Sequence, residues 1–254
     1  MPQLYAYHFN DPTNIGDQVS SPVDYFWPLQ AAQKMDWNCD LDELARAPVI
    51  VGGGGLLNPI LSEKLVRLVL LKKEPIVFWG VGTNMHNQKE SFYPKFLNTV
   101  DMVGLRDFGN PFEYVPCPSC LHAALDRQFP IQHDFVIYEH AHHTIGIEPS
   151  APRMANNQPK ENMDAVIQFL SSGELVITNT FHGCYWALLL NRRALIYRPY
   201  SNRFFFFKPE TVFCDAENWR AKARDAIPAP GYLEECRLLN HRFAEKVFRL
   251  LKLD

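Results

Sequence analysis

Short apolar runs of strand length recur along this chain, and most of them end on glycine or small polar residues. In the first half, residues 3–9, 48–51, 75–79 and 101–105 read as strands. Helical patterns lie between them. Asn58 and Pro59 form an N-cap and first-turn pair, after which Leu61, Leu65 and Leu68 keep one face apolar. A weaker helix is expected over residues 89–98. In the second half, residues 135–138 form a strand and residues 144–148 a further candidate. Residues 160–170 read as a helix, with Met163, Val166, Ile167 and Leu170 at helical spacing and Gly173 ending it. Strands follow at 174–177 and 193–197. The four phenylalanines at 204–207 read as a partly buried strand with alternating side chains. An amphipathic helix closes the chain over residues 233–251, its stripe made by Cys236, Leu239, Phe243, Val247 and Leu250.

Strands alternating with helices imply an α/β fold with parallel sheets of the Rossmann type. In such sheets ligands bind beyond the carboxyl ends of the strands, so the loops after the strands should share one crevice. Pro116, Pro118 and Pro130 interrupt the alternation. Two Rossmann-like domains are therefore expected, residues 1–128 and residues 129–254, the second carrying the C-terminal helix.

Residues 176–190 focus the chemistry. They pass from a β-type run through small polar residues into an apolar helix with His182 and Gly183 in its first turn. A strand that feeds a helix N-terminus offers unpaired N–H groups and the positive end of the helix dipole to an anion. From residue 175 to residue 209 there is no Asp or Glu, while Arg192, Arg193, Arg198, Arg203 and Lys208 fall inside that window. In a chain of formal net charge -3 this local inversion of sign points to a bound phosphate or carboxylate.

Composition narrows the partners. The 254 residues are 47% hydrophobic and 21% charged, as in an ordinary globular protein, and the slight negative charge argues against nucleic acid. No apolar run has the length of a membrane span, and the N-terminus has no signal-peptide pattern, so a cytoplasmic protein is expected. The six cysteines are scattered, as reduced thiols would be. Only Cys117 and Cys120 have metal-like spacing. A zinc site there would have to recruit His140, His142 or His143, and the usual second Cys pair is missing. The glycines at 52–55 and at 80 and 82 lack the spacing of nucleotide-binding fingerprints. They leave room for a ligand to approach the backbone, or simply allow tight turns.

The loop sequences N-I-G-D at 14–17, V-G-G-G-G-L-L at 51–57, W-G-V-G-T-N at 79–84, G-L-R-D at 104–107 and T-F-H-G-C-Y-W-A-L-L-L-N-R-R at 180–193 together resemble the polysaccharide pyruvyl transferase family. The resemblance runs from Gln3 to about Arg203. It implies a GT-B-like arrangement of two Rossmann-like domains facing one cleft, with phosphoenolpyruvate as donor and a saccharide, free or lipid-carried, as acceptor. No cofactor beyond the donor and no metal is implied. It implies His182 as the catalytic histidine and Arg106 as the donor-holding arginine. Asn14, Asp17, Gly53, Gly54, Gly55, Gly82, Asn84, Thr180, Gly183, Arg193, Asn202, Arg203 and Lys208 would line the substrate site. Tyr197, Tyr200 and the four phenylalanines suit a sugar face. Many members carry arginine where this chain has Thr180. That donor contact is then either absent or supplied by Arg192, Arg193, Arg198 or Arg203.

Protonating the donor's methylene needs a general acid of near-neutral pKa, the natural role of histidine. A helix N-terminus favours the neutral ring, so His182 is expected to gain its proton with the donor bound. Two other readings fit the same pattern. One is a glycosyltransferase using a nucleotide sugar. The other is a sugar- or anion-binding module without catalysis. A protein acting on lipid-carried saccharides would work at the inner membrane face.

Overall fold

The structure is a computed structural model that describes residues 3–9, 11–158 and 162–253. It contains two parallel sheets, one of six strands and one of five. In the first half run β1 (Tyr5–His8), β2 (Gln33–Asp36), β3 (Val49–Gly52), β4 (Ile76–Val81), β5 (Met102–Leu105) and β6 (Glu113–Tyr114). They lie in the order β2-β1-β3-β4-β5-β6. In the second half run β7 (His133–Glu139), β8 (Arg153–Ala155), β9 (Gly173–Thr178), β10 (Arg193–Tyr197) and β11 (Val212–Cys214). Their order is β8-β7-β9-β10-β11.

Both sheets thus begin alike, with the first strand of the half lying between the second and the third. The direction in which strands are added reverses there, at β1/β3 in one sheet and β7/β9 in the other. At such a switch point the loops leave in opposite directions and open a crevice beyond the strand ends. The α/β expectation with two parallel sheets holds, in a pattern consistent with two Rossmann-like units.

The α-helices among the described residues are α1 (Ile15–Gln18), α2 (Leu41–Leu44), α3 (Pro59–Leu71), α4 (Met163–Ser172), α5 (Phe181–Leu189), α6 (Trp219–Lys222) and α7 (Tyr232–Leu251), and local sequence explains those that were foreseen. In α3 (Pro59–Leu71) the Asn58 side chain accepts the Leu61 N–H at 2.9 Å, and Leu65, Leu68 and Val69 turn inward. In α4 (Met163–Ser172) Asn162 accepts the Ala165 N–H, and Gly173 caps the end. Lys160 and Glu161, the expected start of that helix, lie outside the described residues. Other elements differ from expectation. Residues 89–98 hold only a 3-10 helix, Lys95–Thr99, because Pro94 sets a non-helical entry and the sequence before it has no apolar stripe. Residues 144–148 are not a strand; β8 forms at Arg153–Ala155 instead. The four phenylalanines begin in a 3-10 turn, Asn202–Phe205, with Phe204 alone fully buried.

The closing helix, α7 (Tyr232–Leu251), follows the second half in sequence but packs on the first sheet. Phe243 and Val247 join Ile50, Val77 and Trp79 in one core, and Trp79 Nε1 donates to Asn240 Oδ1 at 2.8 Å. That buried pairing ties the chain's end to β4, while Tyr232 and Cys236 of the same helix pack in the core that holds Tyr185 and Trp186.

Candidate functional site

The two switch points face one another across a cavity of about 90 Å³. From the first sheet come Asn14, Gly16 and Asp17 of the loop and short helix α1 (Ile15–Gln18) after β1, and Gly54 and Gly55 after β3. From the second come Tyr138 and His140 at the end of β7, Asn156 and Asn157 after β8, and Thr180, Phe181 and His182 at the start of α5 (Phe181–Leu189) after β9. Arg106, at the end of β5, and Arg203 complete the wall.

His182 is held by the opposite half. Its Nε2 lies 3.3 Å from Ser20 Oγ and 3.6 Å from Cys117 Sγ, while its ring stacks on Trp186 at 4.9 Å. Burial, then the charges of Arg106 and Arg203, hold its pKa well below the ordinary histidine value. The resting ring is therefore neutral at pH 7.

Arg106 is the other pole. It is 5% exposed, and its Nε and Nη1 have no hydrogen-bond partner among the described residues. Its guanidinium lies 3.8 Å from the centre of the Phe181 ring. The neighbouring Asp107 turns away to accept the Thr83 N–H at 2.7 Å. Gly82 is needed under this pair, since a Cβ there would stand 2.6 Å from both Arg106 Nε and Asp107 Oδ1. A buried guanidinium with two unsatisfied nitrogens is costly unless an anion completes it.

Asp17 and Arg203 set the remaining charge. Asn14 donates to Asp17 Oδ2 at 2.8 Å. Burial raises the Asp17 pKa to about 6 against the pull of Arg106 and Arg203. Arg203 donates to Tyr200 Oη at 2.6 Å and leaves its Nε unpaired. His140 is pushed down to about 4 by burial, with His143, Arg203 and His142 adding to the effect. Two guanidinium groups thus face one carboxyl and two neutral imidazoles, and the cavity is net positive.

Of the residues singled out from sequence, His182, Arg106, Asn14, Asp17, Gly54, Gly55, Thr180 and Arg203 line this cavity. Gly53 packs on Ser20 behind it, and Asn84 packs on Gly55 and accepts from Ser201 Oγ. The Gly183 N–H is taken by the Thr180 hydroxyl at 3.0 Å, so Thr180 caps the helix and uses up one of the N–H groups expected to meet an anion. Arg193 is a correction. It starts β10, at the end of the sheet away from the cavity, and binds Glu174 and the Ala223 carbonyl. Arg192 likewise binds the Ser171 and Phe129 carbonyls. Asn202 is also corrected, being fully buried with both ends engaged by the backbone of residues 85 and 90. Lys208 pairs with Glu235 on the surface. Of the four arginines considered as substitutes for the one absent at position 180, Arg203 alone lines the cavity.

Sequence reasoning missed Ser20 and Cys117, which meet His182 only through the fold, and Asn156 and Asn157, which follow an unforeseen strand. Cys117 precedes a 3-10 helix, Pro118–Leu121, and Cys120 lies within it. No group of three or more His, Cys, Asp or Glu among the described residues is placed to hold a metal ion. None of their helices is long and apolar enough to cross a membrane.

No family model matches the chain, and no curated protein matches it. Among solved structures, the crystal structure of an uncharacterized protein from Klebsiella pneumoniae is similar over 84% of this chain and 92% of that one, with a TM-score of 0.50 and 16% identity. Identity that low speaks to the fold alone.

Proposed function

We propose that this protein is a GT-B-like polysaccharide pyruvyl transferase that moves a pyruvyl group from phosphoenolpyruvate to a saccharide as a ketal. The observation that carries the reading is Arg106, a buried guanidinium with two unpaired nitrogens, facing a neutral, half-buried histidine in a cavity sized for a small anion. Arg106 and Arg203 hold the donor's carboxylate and phosphate, to which guanidinium groups are geometrically suited.

The donor's charge raises the His182 pKa, and the imidazolium gives its proton to the methylene carbon, which becomes the methyl group. A saccharide hydroxyl adds to the central carbon, the carbon–oxygen bond to phosphate breaks, and a second hydroxyl closes the ketal. One hydroxyl proton restores His182 and the other leaves on phosphate. Ser20 and Cys117 keep the ring oriented, and Asp17, with its raised pKa, accommodates the donor without a full opposing charge.

The test measures thermal stabilisation by phosphoenolpyruvate and by nucleotide sugars, then phosphate release when a mixture of saccharides is added. Selective stabilisation by phosphoenolpyruvate with saccharide-dependent phosphate release is expected. Selective stabilisation by nucleotide sugars would replace the proposal with glycosyl transfer. Stabilisation by phosphoenolpyruvate with no phosphate released would leave a binding module.

A further inference from the structure

The donor cavity shares a wall with a larger one of about 470 Å³, at the carboxyl ends of β9 and β10. His140 lines the smaller cavity and His143 the larger, with their rings 5.0 Å apart. Arg203 lines the smaller and donates to the hydroxyl of Tyr200, which lines the larger. The two cavities differ in kind. About 470 Å³ falls within the ~300–1,000 Å³ range of pockets that enclose organic ligands, and about 90 Å³ does not.

Tyr200 lines this second space and is held from several sides. His143 lies against it at 5.5 Å, His86 of the first half meets its ring edge-on at 5.7 Å, and its carbonyl accepts the Asn87 N–H at 2.9 Å. The Arg203 guanidinium lies 5.5 Å from the ring centre, and the part of the half-buried ring left exposed is an apolar surface a pyranose can pack against. Arg198 lines the same space with φ 44°, a left-handed conformation unusual for arginine. It takes part in no ion pair among the described residues, and no Asp or Glu lines the cavity.

We propose that this second cavity is the acceptor subsite and takes an anionic saccharide, its ring stacked on Tyr200, its charge on Arg198 and a hydroxyl directed past His140 toward His182. The inference rests on the pyruvyl-transfer reading for the role of acceptor. The binding chemistry itself is independent of the donor. A uronate and a sugar phosphate both supply that chemistry.

The experiment titrates glucuronic acid, glucose 1-phosphate and glucose into the full chain by ligand-observed NMR, with and without phosphoenolpyruvate. An anionic sugar is expected to bind at least tenfold more tightly than glucose, and the tighter of the two anionic sugars identifies the source of the charge. Arg198→Gln should abolish that preference, and Tyr200→Ala should weaken every sugar; Tyr200→Phe, which keeps the ring, should retain stacking. Equal binding of all three sugars to the wild type overturns the proposal. So does a preference that survives Arg198→Gln, or displacement of the sugar by phosphoenolpyruvate, which would put it in the donor cavity. If phosphoenolpyruvate neither binds nor reacts while the Arg198-dependent preference remains, the anionic sugar site stands and the donor assignment falls.

Discussion

The His182 ring in the first turn of α5 rests on the bare backbone of Gly16 in α1, so closely that a Cβ at position 16 would lie 2.1 Å from its Nδ1. Gly16→Ala tests this contact with an unusual sign. Alanine favours a helix over glycine by about 1 kcal/mol, so without the contact the substitution in α1 would stabilise. We expect instead a loss of about 1–3 kcal/mol, as in other overpacked sites, with at least a tenfold fall in turnover because His182 must move. Urea denaturation and phosphate release measure the two effects. A stabilised, fully active variant would refute the contact.

Arg106 should trade stability for binding. A buried charge without an ion-pair partner is costly, and Arg106→Met removes that charge while keeping packing over Phe181. We expect no loss of thermal stability without anion. Affinity for phosphoenolpyruvate should fall by about 10–100-fold, the equivalent of one charge-assisted hydrogen bond. Calorimetric titration of wild type and variant decides it, and unchanged affinity would remove Arg106 from the donor site.

Anion binding should take up protons. Free His182 is neutral because its pKa is depressed, and Asp17 titrates at about 6. A dianion in the cavity raises both pKa values, so the bound state holds more protons near neutrality. Affinity must then rise as pH falls from 8 toward 6. Sulfate is the suitable probe because it carries no proton to titrate in this range. Calorimetry at pH 7 in buffers of different ionisation heat should report proton uptake, reduced in His182→Gln. Proton release, or none, would contradict the charge arrangement.

Legibility in the sequence followed the range of the interactions. The cap of α3 and the run of β10 depend on residues a few positions apart, and both were readable. The short edge strand β2 was not, because only Met35 of its four residues is buried and the pattern is polar. Helix α7 was visible as amphipathic, but its destination was not, since Asn240 meets Trp79 across 161 residues. The site divides in the same way. His182 and Arg106 stand in strand-end loops where chemistry is expected, whereas Ser20 reaches His182 across 162 residues. Arg193 and Asn202 misled because a residue's type says nothing of which end of a strand it occupies or whether backbone groups already engage it.

Asn202 gives the sharpest contrast between structural and substrate roles. Its Oδ1 accepts the Met85 N–H at 2.7 Å and its Nδ2 donates to the Glu90 carbonyl at 2.6 Å, in a fully buried setting. Asn202→Ala strands both backbone groups and should destabilise by about 1–3 kcal/mol. Asn202→Asp retains an acceptor for Met85 but buries a charge and loses the donor, so it should do no better. Because the side chain does not line the cavity of His182 and Arg106, affinity for phosphoenolpyruvate should change less than tenfold in the folded variants. Urea denaturation and calorimetric titration separate the two roles. Near-native stability with a large loss of donor affinity would return Asn202 to the binding site.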